Sequence, residues 1–153
     1  WGRTFEWTLE IVTRQCGIGT LPWEAAAKNL ELRQKASARI LEPLVRDTLV
    51  KAALAKRKLT GTDFFFGPGS ISVGFSDVRL PCGTIGLTEP PTDRRPYSVM
   101  TISPSATKKS GYLQQVVLHE CIHVVVASTG GEAHNDEFMA LSKMLGLTEE
   151  NRD

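Results

Sequence analysis

Residues 119–123 read His-Glu-Cys-Ile-His. On a helix, positions four apart lie one turn above each other on the same face, so the imidazoles of His119 and His123 can reach a single ion. Glu120 is rotated about 100° from His119, beside such an ion rather than on it, where its carboxylate can hold a water. A catalytic zinc ion normally takes three protein ligands and leaves its fourth position to water. That arrangement predicts a third ligand downstream, past a turn. His134 fits: ten residues separate it from His123, and Gly130-Gly131 between them lets the chain double back. Glu132 is the rival third ligand, because carboxylates also bind zinc, whereas ligand chemistry favours the imidazole. The chain has three histidines, and all of them fall in this constellation.

A divalent cation held in this way polarises a carbonyl and lowers the pKa of a coordinated water towards roughly 7. Glu120 then accepts that water's proton and later passes it to a leaving amine. The residues therefore point to a zinc-dependent metallopeptidase in which Glu120 activates a zinc-bound water. Tyr97 and Tyr112 are candidate oxyanion donors by type and rough position only, since tyrosines so placed more often pack. Cys121, between the ligands, points away from them and is expected to be a small core residue. Asp136 and Glu137 suit the amino terminus of a helix, where the dipole favours negative charge. Two other readings use the same residues. One is a hydrogen-bonded His-Glu-His cluster with His134 capping the last helix; the other is a catalytically silent zinc-binding scaffold within a larger assembly. A Glu at the second motif position favours chemistry over a closed structural site.

The motif has to sit in a helix that can carry it. Leu113, Val116, Val117, Leu118, Ile122, Val124, Val125 and Val126 surround it, so the segment from Leu113 to Ser128 reads as a largely buried helix. Two imidazoles and a carboxylate there cost several kcal/mol unless something satisfies them, as a cation does. Asn135 or Asp136 starts a last amphipathic helix through Phe138, Leu141 and Leu145, closed by Gly146. Upstream, Trp23 to Leu59 is helical in composition, and Pro43 is expected to kink or split it. Thr20 can cap that segment, with Pro22 in its first turn. Residues 1–20 read equally as a short strand or the start of a helix. Between these parts, Phe64–Phe66, Ile71–Phe75, Thr84–Leu87 and Val99–Ser103 are short apolar or β-branched runs bounded by Gly and Pro, and are expected to be strands. The expected architecture is α+β in a single domain over 1–153: a helical part over 1–60, a small sheet over 61–104, and over 112–146 the motif helix, the third-ligand turn and the final helix.

At 153 residues, with 41% hydrophobic and 23% charged residues, the chain can bury the core of one ordinary globular domain. A formal net charge of +1 argues neither for a dedicated nucleic-acid binder nor for an acidic-partner binder. The small clusters Lys56-Arg57-Lys58, Arg94-Arg95 and Lys108-Lys109 are the whole support for a nucleic-acid-associated module. No apolar run approaches the roughly 20 residues of a membrane span, and no secretory signal profile is present. Cys16, Cys82 and Cys121 form no CxxC pair, which suggests free thiols and an intracellular, cytoplasmic or nuclear, location.

Metzincins would place a His where this chain has Thr129, and thermolysin-like enzymes take a Glu from further downstream. The closer resemblance is to SprT-like metallopeptidases. In that family a strand ending in a Ser-rich turn precedes the motif helix, and the third His opens a His-Gly-x-x-Phe motif. Here Thr101-Ile102-Ser103-Pro104 precedes it and His134-Asn135-Asp136-Glu137-Phe138 follows. Asn135 stands in place of the family Gly, and both tolerate left-handed backbone angles. The resemblance covers roughly residues 84–146. It implies a zincin-like fold, with His119, His123 and His134 as the zinc ligands, Glu120 as general base and a protein or peptide as substrate. Bacterial members often add a Cys-rich zinc ribbon, which these residues lack, and the family's association with DNA–protein crosslinks enters only as analogy. In such an architecture a peptide adds as a strand to the sheet edge beside the motif helix, here expected at Val99–Ser103.

Overall fold

The computed structural model describes residues 31–152 apart from 33, 68, 77–79, 81–83, 129 and 131–133. The expectations for residues 1–20, the Thr20 cap, Cys16, Cys82 and Glu132 lie outside the described residues. Helix α1 (Glu42–Thr60) follows a π-helical turn, Ser37–Leu41, that continues the helical backbone of residues 34–36. Pro43 occupies the first turn of α1, and its missing N–H leaves a gap in the helical ladder that runs on from the π-helical turn. The expected break at Pro43 therefore takes the form of a widened turn just ahead of it. Val45, Leu49, Ala52 and Ala55 recur at helical spacing and form the buried stripe. Arg57 and Lys58 sit in the last turn, and Gly61, at φ 75°, accepts the left-handed conformation that stops the helix.

Three strands follow: β1 (Ile71–Phe75), β2 (Gly86–Glu89) and β3 (Ser98–Ile102). Strand β3 is central, parallel to β1 on one side and antiparallel to β2 on the other. This corrects the expectation that the strand at Val99–Ser103 is the sheet edge beside the motif helix: both of its sides are paired, and of the two edge strands, β1 and β2, it is β2 that packs on that helix. Thr84–Leu87 was placed two residues early as a strand, although the Ile85 carbonyl already accepts from the Ser103 amide at 2.7 Å. Phe64–Phe66 is not a strand. The Phe64 and Phe66 rings stack at 5.9 Å and pack against the core, while Phe65 between them is 85% exposed.

Along β3, Ser98, Met100 and Ile102 are buried and alternate with half-buried Val99 and Thr101, the period-two signature of a strand with one covered face. Helix α2 (Tyr112–Ala127) lies against that sheet and packs most extensively on α1. Its buried residues run from Leu113 to Val126 on nearly all sides, as its apolar composition requires. Helix α3 (Asp136–Leu145) is capped by the Asn135 side chain, which accepts from the Phe138 amide at 2.9 Å. Asp136 and Glu137 lie in its first turn, and Gly146, at φ 79°, ends it. The result is a small α+β core of three helices and a three-stranded sheet. No helix among the described residues is long and apolar enough to cross a membrane.

Candidate metal centre

Helix α2 presents His119 and His123 one turn apart, both half-buried. His134 comes from the turn before α3, and it is the one non-glycine among the described residues with positive φ, at 55°. The sequence reading placed the left-handed residue at Asn135. Asn135 is instead extended, as a capping residue must be, and the sharp turn falls on the histidine itself. Left-handed backbone is uncommon outside glycine and costs free energy, so the fold holds His134 in a conformation it would not adopt alone.

The three Nε2 atoms form a nearly equilateral triangle: His119 to His123 at 3.1 Å, His134 to His123 at 3.2 Å and His134 to His119 at 3.3 Å. Each Nε2 carries either a proton or a lone pair, so hydrogen bonds can join at most two of the triangle's three edges. The Nδ1 of His119 lies 2.7 Å from the Asn151 carbonyl oxygen. A carbonyl only accepts, so in the neutral ring Nδ1 carries the proton and Nε2 offers a lone pair. A tetrahedral ion with metal–nitrogen bonds of roughly 2.0–2.1 Å sets its donors about 3.3–3.4 Å apart, which the triangle matches. The three histidines are therefore close enough to hold one metal ion. The capping role expected of His134 falls instead to Asn135, whose side chain accepts from the Phe138 amide.

Phe138, fully buried, forms the floor beneath the triad, with its ring centroid 5.1, 4.7 and 4.6 Å from those of His119, His123 and His134. Crowding has an electrostatic consequence. Burial first, then the neighbouring His119 and His134, push the His123 imidazole down to about 4, which keeps the ring neutral and its lone pair available.

Glu120 points to the sheet. In the β2–β3 register Gly86 lies opposite Ile102 and Thr88 opposite Met100. Directly opposed residues share a face, so Gly86 and Thr88 sit on the side where Met100 and Ile102 are buried. The Thr88 hydroxyl donates to Glu120 Oε1 at 3.0 Å. A Cβ on Gly86 would lie 2.9 Å from Glu120 Cγ and 3.1 Å from Oε2, so only glycine leaves room for the carboxylate. Burial raises the Glu120 carboxyl to about 7, against the lowering influence of the Thr88 hydrogen bond. That places it in the range where a group can both take and return a proton.

Other residues singled out in the sequence lie elsewhere. Cys121 is fully buried, its thiol 3.9 Å from the Val45 carbonyl, and burial pushes it far above the usual thiol range. Tyr97 carries Arg95 over its ring at 5.9 Å, and Tyr112 packs on the core. Lys56 is fully buried against Glu137 at 2.5 Å and is no part of a basic surface. Arg95 is engaged by Glu89 and the Pro90 carbonyl. Sequence reasoning did not find Thr88, Gly86, Asn151 or the Lys56–Glu137 pair, because each depends on strand register or on contacts between distant segments. Comparison with protein-family models, curated proteins and solved structures yields no match.

Proposed function

We propose that the chain is a zinc-dependent peptidase of SprT-like, zincin-like type, with His119, His123 and His134 as ligands and Glu120 as general base. The observation that carries this reading is the triangle of Nε2 atoms, close to the spacing of a tetrahedral ion's donors, on a helix that also carries a buried carboxyl raised to about 7. Three neutral nitrogen donors suit zinc. When bound, zinc supplies Lewis acidity towards a carbonyl and towards water. The chain's own residues supply the rest. Glu120 takes a proton from the attacking water and returns it to the amine that leaves, while Thr88 holds the carboxylate through Oε1. A substrate peptide pairs with the outer edge of β2, which no strand among the described residues covers. Backbone pairing of that kind carries little sequence preference.

Catalytically silent metal binding is the second reading, and the burial of Glu120, which is 4% exposed, favours it. One experiment separates the two: cleavage of an unfolded protein substrate with and without a chelator, beside Glu120→Gln. The peptidase reading expects cleavage that the chelator abolishes and that Glu120→Gln lacks while still binding zinc. Undiminished cleavage by Glu120→Gln would exclude the mechanism, and zinc uptake without any cleavage by the intact chain would favour the scaffold.

A further inference from the structure

A second element reaches the metal centre from the segment that follows α3. Gly146 turns the chain, Leu147 is buried in the core, and a short 3-10 turn, Glu149–Asn151, comes next. Gln115, on α2 one turn before His119, uses both ends of its amide on this segment. Its Nε2 donates to the Gly146 carbonyl at 3.3 Å, and its Oε1 accepts from the Thr148 amide at 3.0 Å. Asn151 closes the turn on Thr148, with its backbone amide donating to the carbonyl at 3.0 Å and its side-chain amide to the hydroxyl at 2.6 Å. Arg152 ties back to the Leu147 carbonyl through Nε at 3.1 Å. The Asn151 carbonyl is thereby delivered to Nδ1 of His119 at 2.7 Å.

We infer that the segment Leu147–Arg152, clamped to α2 by Gln115, is a working part of the metal centre. The inference rests on the three-histidine metal site. The Asn151 carbonyl selects the tautomer of His119 that keeps the proton on Nδ1 and the lone pair on Nε2, fixes the ring's rotation, and raises the basicity of the donating nitrogen. Among the described residues, His119 is the one ligand ring whose other nitrogen faces a protein carbonyl. Partners of this kind typically change metal affinity by roughly 10–100-fold when lost. Gln115 acts through this segment, as a positioning residue.

The test measures zinc affinity by competition with a chromogenic chelator, in the intact chain, in Gln115→Leu and in a chain ending at Leu147. The last retains the buried Leu147 side chain but lacks the carbonyl. Zinc binding should weaken about 10–100-fold in the shortened chain, and in the same direction in Gln115→Leu. Nitrogen-15 spectra should show an Nδ1–H proton on His119 in the intact protein and a mixture of tautomers in both variants. Should the shortened chain fail to fold, Gln115→Leu in the full chain decides. Unchanged zinc affinity and tautomer in Gln115→Leu and in any folded shortened chain overturn the inference alone. An intact chain that takes up no zinc overturns the metal reading and the inference with it.

Discussion

Thr88 donates its hydroxyl proton to Oε1 of Glu120 across 3.0 Å and so ties the edge strand to the carboxyl that follows His119 on α2. The contact depends on the register that sets Thr88 opposite Met100. A slip of one residue would turn the hydroxyl to the other face. Hydrogen bonds to charged groups are worth about 1.5–3 kcal/mol. Thr88→Val should therefore lower kcat for peptide cleavage by about 10–100-fold with little change in zinc affinity, while Thr88→Ser retains most activity. Losing the bond also removes an influence that lowers the Glu120 pKa, so the acid limb of the kcat profile should move to higher pH. Equal activity in Thr88→Val and Thr88→Ser would sink the assignment.

Gly86 faces the same carboxyl. A methyl group there meets Glu120 Cγ at 2.9 Å and Cδ at 3.1 Å, closer than carbon atoms pack, so either the side chain or the strand must shift. Misplacing a catalytic group by about 1 Å can cost about 100-fold in rate. Gly86→Ala should bind zinc normally and lose most of its kcat. A structure of the variant should show the Glu120 carboxyl displaced from Thr88; an undisplaced carboxyl with full activity would contradict the prediction.

Lys56 and Glu137 join α1 to the first turn of α3, just after His134, with the lysine fully buried and the glutamate 18% exposed. Removing one partner of a buried pair typically costs about 3–5 kcal/mol, because the other charge is stranded, whereas replacing both by apolar groups is far milder. Urea unfolding should find Lys56→Met strongly destabilised and Lys56→Met with Glu137→Leu substantially recovered. A double variant no more stable than Lys56→Met would show that the pair's charge is not the issue.

The sequence reveals the elements of this fold whose signals are local. The motif helix, a cap at Asn135 or Asp136 and the stop at Gly146 each rest on residues adjacent in the chain. So does the placement of two histidines on one helical face. What it does not reveal is set by pairing. Which strand forms the edge depends on how β1 and β2 flank β3, and apolar runs such as Ile71–Phe75 and Val99–Ser103 carry no mark of central or edge position. Register is likewise silent, and with it the roles of Gly86 and Thr88. Lys56 misleads for a related reason: its neighbours Arg57 and Lys58 suggest a charged surface, but its helical phase turns it inward to Glu137. The left-handed residue was misplaced by one position because Asn serves equally as a turn residue and as a helix cap, and here the cap prevails.

Glu120 and His123 oppose each other in the pH dependence of stability once metal is stripped away. Glu120 is raised from 4.5 to about 7 in the folded chain, so the folded state holds a proton that the unfolded state gives up. Its contribution to stability is complete below pH 4.5 and is lost as pH rises towards about 7. His123 is lowered from 6.5 to about 4, so its contribution is complete above pH 6.5 and is lost as pH falls towards about 4. The two slopes have opposite sign and cancel over most of the shared window. Glu120→Gln removes only the first. Relative to the unsubstituted protein, it should gain stability steadily as pH rises from 4.5 to about 7, by on the order of 3 kcal/mol in total. Chelator-treated protein unfolded in urea at a series of pH values measures this difference directly. Adding zinc should shrink it, because a nearby cation favours the charged carboxylate and opposes the effect of burial on its pKa. A difference that is independent of pH would mean that the Glu120 carboxyl ionises in the folded chain as it does in the unfolded one.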